Sequence, residues 1–344
     1  MRTLVISDVH GMYDKMIAAL EAAHFNPATD RIVVAGDICD RGRDTLKCMD
    51  YINHCPNRIV LLGNHDADML ENLMGVRPTS WADKHNGRME TALSFVDAIR
   101  DWADGGTIDG YAPSYYGIWS LFTMVRNRPE LAEARKIIET YYENAGVAFE
   151  TRNYIITHAW LPYVEINHLF DITEVMPDWR TNHDIIDWAD ALWYSPYNFI
   201  AQAQRKENDK IMRHAYVPCM ENNFKIDDAI LHGREGIKSK YMVVGHVFAA
   251  IYRAAKVGRA GRDSSTWRGL SNDTYLFHYP YHDFSMIAID GCAVSAEGKV
   301  NVFEFDDDED ATVHISYLRE APAVIDEHNV VLYRLPALLK RFKF

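Results

Sequence analysis

Three short polar clusters stand directly after apolar runs in the first 66 residues. They are SDVHG (7–11), GDICDRG (36–42) and GNHD (63–66). They carry Asp8 and His10, Asp37 and Asp40 with Arg41, and Asn64 with His65. Two further histidines, His158 in THA and His246 in GH, end later apolar runs. Charged groups are rarely placed where a buried strand ends unless something compensates them. Together these residues supply three carboxylates, four imidazoles and one amide. Hard oxygens mixed with borderline nitrogens suit Mn²⁺, Fe or Zn²⁺ better than Ca²⁺. Six or more ligands exceed what one catalytic zinc takes, so the set reads as two metals sharing a carboxylate. Such a pair, roughly 3.5–4 Å apart, activates water and clamps a phosphoryl oxygen. Arg41 adds paired donors that match phosphate geometry. Taken singly, Asp8 or Asp37 would pass for a helix cap and Arg41 for a surface ion pair. The shared context at strand ends is what lifts them above that.

The elements that must position these groups follow from periodicity. TLVIS (3–7), RIVVAG (31–36) and RIVLLG (58–63) read as buried strands. Helical spacing over 12–25, 43–55 and from 66 separates and follows them. Strand–helix–strand alternation predicts parallel pairing with right-handed crossovers, and chemistry then gathers at the carboxyl ends of the strands. A parallel sheet is expected to bring all the clusters to one edge. NYIITHAW (153–160), YMVVGHV (241–247) and four runs after residue 284 read as further strands. The stretch 129–144 reads as a helix entered through Pro129. The region 66–150 reads as a helical insertion or cap, 253–283 as a long loop, and the whole as one domain.

The chain has 344 residues, 48% hydrophobic and 25% charged, with net charge 36 − 49 = −13. This composition suits a globular protein and argues against broad nucleic-acid or anionic-membrane binding. No run of 18 apolar residues appears, and the apolar start is too short for a signal peptide. Five cysteines without a CxxC pair point to a reducing, cytoplasmic setting. Oligomeric state is not legible.

DVHG, GDICDRG and GNHD, followed by the strand-end histidines, resemble the calcineurin-like metallophosphoesterases. Within them the GDxxDRG pattern resembles the phosphoprotein phosphatase branch, both its bacterial and phage serine/threonine phosphatases and the symmetrical diadenosine tetraphosphatases. The resemblance implies an α/β fold with a central β-sandwich flanked by helices, and two divalent ions, Mn²⁺ first, with Fe or Zn²⁺ as alternatives. It implies Asp8, His10 and Asp37 on one metal, and Asp37, Asn64, His158 and His246 on the other. His65 would be the general acid, oriented by Asp40; Arg41 and Asn64 would bind phosphate. A second phosphate-binding arginine would come from Arg205, Arg213 or Arg234. The implied activity is a metal-dependent phosphomonoesterase acting on phosphoserine or phosphothreonine in protein. The alternatives are hydrolysis of a dinucleoside polyphosphate, and a non-catalytic scaffold that keeps the fold. Two departures stand out: Asp66 in GNHD, where a glutamate is usual, and Trp160, where a small residue is usual and a ring could narrow the pocket or stack on substrate.

Overall fold

The computed structural model describes residues 1–97, 115–151, 153–161, 164–166, 172–175, 191–193, 241–256, 270–278, 285–306, 313–317 and 330–334. In chain order the first elements are β1 (Arg2–Ile6), α1 (Tyr13–Ala22), β2 (Arg31–Ala35), α2 (Thr45–Asn53), β3 (Arg58–Leu61) and α3 (Asn64–Met74). Helices α4 (Trp81–His85), α5 (Arg88–Asp97), α6 (Tyr115–Asn127) and α7 (Ala132–Tyr142) follow, with a 3-10 turn at Pro129–Leu131. Then come β4 (Ala148–Glu150), β5 (Tyr154–Thr157), β6 (Val164–Ile166), β7 (Ile172–Val175), β8 (Tyr241–Val244) and α8 (Ala249–Lys256). The last are β9 (Tyr275–His278), β10 (Ser285–Ala288), β11 (Phe303–Asp306), β12 (Val313–Tyr317) and β13 (Val330–Arg334). Two compact units emerge, one built from the described residues of Met1–Ala145 and Cys292–Phe305, the other from those of Gly146–Gly291 and Asp306–Pro336.

The first unit holds a four-stranded sheet in the order β11-β1-β2-β3. The β1–β2 and β2–β3 pairs are parallel, as the alternation predicts. Every residue of β2 is buried, which is why RIVVA reads as a continuous apolar run rather than an alternating one. Fully burying each Val or Ile there is worth about 1.5–3 kcal/mol. Lys15 on α1 donates its three ammonium protons to the carbonyls of Ala293 (2.8 Å), Ser295 (2.7 Å) and Gly298 (2.6 Å). That uses its whole donor set and pins the 292–298 turn to α1.

Within 66–150, helices α3 to α7 are joined by short turns and followed by β4; residues 98–114 lie outside the described residues. Ser80 and Asp83 form a capping box that starts α4: the Ser80 amide donates to Asp83 Oδ2 at 2.6 Å. The predicted 129–144 helix divides into the Pro129 turn and α7, because proline supplies a first-turn position without a donor.

The second unit holds a seven-stranded mixed sheet in the order β12-β13-β4-β5-β8-β10-β9, and a β6–β7 hairpin. β5–β8 and β8–β10 are parallel, whereas β4–β5 and β9–β10 are antiparallel. Two expectations need correction. The polar clusters do not share one sheet: three follow strands of the first unit's sheet, while His158 and His246 follow β5 and β8 of the second's. Nor is 253–283 loop throughout, since α8 runs to Lys256 and β9 pairs with β10 across Ser285↔His278. Among the described residues no helix is long and apolar enough to cross a membrane.

Candidate metal centre and acid–base pair

Asp8, His10, Asp37, Asp40, Asn64 and His65 are all buried, and Arg41 is half-buried. Their backbones are unusual. Asp8 (φ 52°), His10 (50°), Asp37 (56°), Asp40 (71°), Arg41 (67°) and His246 (61°) all adopt the left-handed region. That region is costly for a residue with a Cβ, and such residues cluster where a structure must aim side chains. Two successive turns, at the ends of β1 and β2, carry five of these residues. They are cross-tied by backbone bonds from His10 N–H to the Asp37 carbonyl (2.9 Å) and from Gly42 N–H to the His10 carbonyl (2.9 Å).

Helix α3 starts at Asn64, two residues earlier than the periodicity predicts, so Asn64 and His65 occupy its first turn. There the His65 amide donates to Asp37 Oδ1 at 3.0 Å. A carboxylate at a helix N-terminus is favoured by both the amide and the dipole. Gly63 caps this helix. A Cβ on it would strike both the Asp37 carboxylate and the Asp37 amide nitrogen. We therefore expect Gly63→Ala to push Asp37 out of place and to abolish tight Mn²⁺ uptake, read by metal analysis after dialysis, while the chain stays folded by circular dichroism.

The Asp66 departure has a structural use that the sequence reading passed over. Its carboxylate accepts the amides of Asp37 (2.8 Å), Gly63 (2.9 Å) and Ile38 (3.3 Å), and the Tyr142 hydroxyl from α7 (2.9 Å). One side chain therefore binds the GDICDRG turn to the GNHD turn. Tyr142→Phe should cost about 1 kcal/mol of unfolding free energy, the usual worth of one such bond; urea denaturation checks it.

Divalent ions fit the donor set. His10 donates from Nδ1 to the Cys39 carbonyl at 2.8 Å, which turns Nε2 toward Asp37 Oδ2, 3.8 Å away. Fixing one ring nitrogen in this way is what orients a ligating imidazole. His10, Asp37 and His65 each offer a ligand atom within 4.8 Å of the others. Burial, and then the charges of Asp8 and Asp66, push the Asp37 carboxyl well above the usual carboxylate range. A buried excess of negative charge is the electrostatic condition a cation relieves.

His65 differs from His10. Its Nδ1 lies 2.6 Å from Asp40 Oδ2, and its Nε2 lies 3.3 Å from Nη2 of Arg41. Burial alone would push Asp40 up, but the Arg88 guanidinium and then His65 overcome that and hold its carboxyl below the usual range. Asp40 is thus the ionised partner that an imidazole Nδ1–H donates to. Arg41 is held from the other side by its amide, which donates to the Gly87 carbonyl at 3.2 Å in the α4–α5 turn. A Cβ on Gly87, itself at φ 78°, would meet the Arg41 backbone. Arg88 and Thr91, which surround Asp40, were not anticipated. No motif marks them, and an arginine opening an amphipathic helix reads as a surface residue.

In the second unit, the β5–β8 pairing sets Thr157 opposite Val244, so the residues after each strand are neighbours. The rings of His158 and His246 lie 5.1 Å apart, edge to face, with Trp193 6.5 Å from His246. Trp160 is only 2% exposed, which makes it core packing rather than a surface ring for substrate. Arg205, Arg213 and Arg234 lie outside the described residues.

Strand-end carboxylates and imidazoles over a parallel sheet, with a buried His–Asp pair, define a metal-dependent hydrolytic class of α/β protein. The calcineurin-like phosphoesterase pattern matches residues 1–247, and the chain belongs to that family. The symmetrical bis(5′-nucleosyl)-tetraphosphatase of Glaesserella parasuis is 36% identical over 85 residues, 24% of this chain and 31% of that protein. That of Histophilus somni is 33% identical over 103 residues, 30% of this chain and 37% of that protein. The chain spans about a third of the length of the curated relatives it matches. A solved metallophosphoesterase from Sphaerobacter thermophilus aligns over 88% of this chain and 83% of its own, with 15% identity and a TM-score of 0.35.

Proposed function

We propose that this chain is a dinuclear metal-dependent phosphatase that transfers a phosphoryl group from an ester directly to water. The observation that carries the reading is the buried His65–Asp40 pair beside the Asp8, His10 and Asp37 donor set. Asp8, His10 and Asp37, with Asn64, would serve one ion from the first unit; His158 and His246 would be the ligands that the second unit offers to the other. Two divalent ions, Mn²⁺ in the first instance, supply water activation and charge neutralisation at the phosphoryl group. His65, its Nδ1–H committed to Asp40, gives a proton from Nε2 to the leaving oxygen. Arg41 and Asn64 donate to the phosphoryl oxygens, Arg41 turning from His65 to the substrate. A covalent thiol route is disfavoured, because burial pushes the thiols of Cys39, Cys48 and Cys55 up, that of Cys55 to about 11. Cys39, Cys48 and Cys55 are buried thiols outside any disulfide, which suits the cytoplasm.

Phosphoserine or phosphothreonine in protein is the substrate class that GDICDRG favours. A dinucleoside polyphosphate is the second reading, favoured by the names of the curated relatives. The test is phosphate release with Mn²⁺ from a phosphothreonine peptide and from diadenosine tetraphosphate, nucleotide products resolved. Peptide turnover alone supports the first and symmetrical cleavage alone the second. No turnover of either, or of p-nitrophenyl phosphate, with Mn²⁺, Fe²⁺ or Zn²⁺ would leave the scaffold reading standing.

A further inference from the structure

Arg88 is a fully buried guanidinium, with 0% exposure, at the first residue of α5. Its Nε donates to Asp40 Oδ1 at 2.6 Å and its Nη2 to Asp40 Oδ2 at 2.8 Å. The same Nη2 lies 3.3 Å from the His65 carbonyl, and Nη1 donates to Asn72 Oδ1 at 2.7 Å. One rigid fork therefore grips the Asp40 carboxylate at both oxygens and touches the main chain of the histidine that Asp40 serves. Asp40 is closed in from its remaining side by Thr91, whose Oγ1 accepts the Asp40 amide at 2.7 Å. Removing a guanidinium from water costs several kcal/mol, and an apolar residue would fill the space more cheaply. Bidentate geometry fixes a carboxylate plane in a way that a single ammonium does not.

We propose that Arg88 is a positioning residue for the Asp40–His65 pair, aiming Asp40 Oδ2 at Nδ1 so that Nε2 faces the leaving oxygen. The proposal rests on the reading of His65 as general acid. It separates Arg88 from a merely structural ion pair through the leaving group. An ester whose leaving oxygen is basic needs the proton; one whose leaving group is a stable anion does not.

The experiment compares Arg88→Met and Arg88→Lys in the Mn²⁺-loaded full chain, on phenyl phosphate and 2,4-dinitrophenyl phosphate. Arg88→Met should lower kcat for phenyl phosphate by about 10–10²-fold, within the range set by losing the acid itself. KM should stay within about twofold and dinitrophenyl phosphate turnover within about threefold, because binding and water activation are untouched. Arg88→Lys should recover part of the loss, and Arg88→Met added to His65→Asn should cost nothing further. Equal losses on the two esters, or no loss, would overturn the proposal. Where Arg88→Met does not fold, Arg88→Lys carries the same comparison. Proton NMR gives an arm independent of turnover. The downfield Nδ1–H resonance, assigned by its disappearance in His65→Asn, should exchange away in both Arg88 variants. Its persistence unchanged would overturn the proposal. Wild-type protein that hydrolyses neither ester would overturn the phosphatase reading instead, leaving the NMR result to decide on Arg88.

Discussion

His65→Asn should lower turnover of a phosphomonoester by about 10²–10⁴-fold while leaving bound Mn²⁺ unchanged. The reason lies in what the side chain touches. Nδ1 is committed to Asp40 Oδ2 at 2.6 Å, so the ring's other nitrogen is the one that can carry a proton to substrate. Asparagine keeps a polar group against Asp40 but has no titrating nitrogen. The backbone amide that binds Asp37 Oδ1 is retained, so the turn keeps its shape. Metal analysis and steady-state kinetics on the same preparation check both halves. Wild-type turnover in the variant would sink the acid assignment, and loss of metal would make His65 a ligand.

Asp37→Asn should act in opposite directions on stability and activity. Burial, Asp8 and Asp66 raise the Asp37 carboxyl well above the usual range. A carboxyl raised in the folded state binds its proton more tightly there than in the unfolded chain. With metal chelated, that contribution to stability is fully present below the ordinary carboxylate value. It is lost as pH rises from that value through the raised one. Near neutrality the charge is therefore a net cost, and asparagine, which can still accept the His65 amide, removes it. In EDTA at pH 7 the variant should melt at a higher temperature than wild type. In Mn²⁺ the order reverses. Wild type gains about 2.7 kcal/mol at a hundredfold excess of ion over Kd, the variant gains little, and turnover falls by about 10³-fold or more. A variant that melts lower than wild type in EDTA would show that the Asp37 charge is already compensated by the protein.

The parallel core of the first unit was legible because its signals are local. RIVVA is buried on both faces and reads as such, and the alternation of strands with helices leaves parallel pairing as the short-connection solution. Asp8, His10, Asp37, Asp40, Asn64 and His65 could be picked out because a polar residue ending a buried strand contradicts its surroundings. Short pieces such as β4, β6 and β7 escaped notice, since three or four residues carry too little periodicity.

Sequence by itself determined which side chains end the strands, and so the kind of chemistry the chain carries and the family it belongs to. Tertiary structure decided the rest. It divides the strand-end groups between two sheets, and it gives Asp66 four donors from three separate turns or helices. It also brings Arg88 to Asp40 across 48 residues of chain. A strand's periodicity acts within a few residues and leaves its trace there. A buried ion pair is a property of two distant segments that the solvent cannot reach, and nothing in the local pattern around Arg88 records that exclusion.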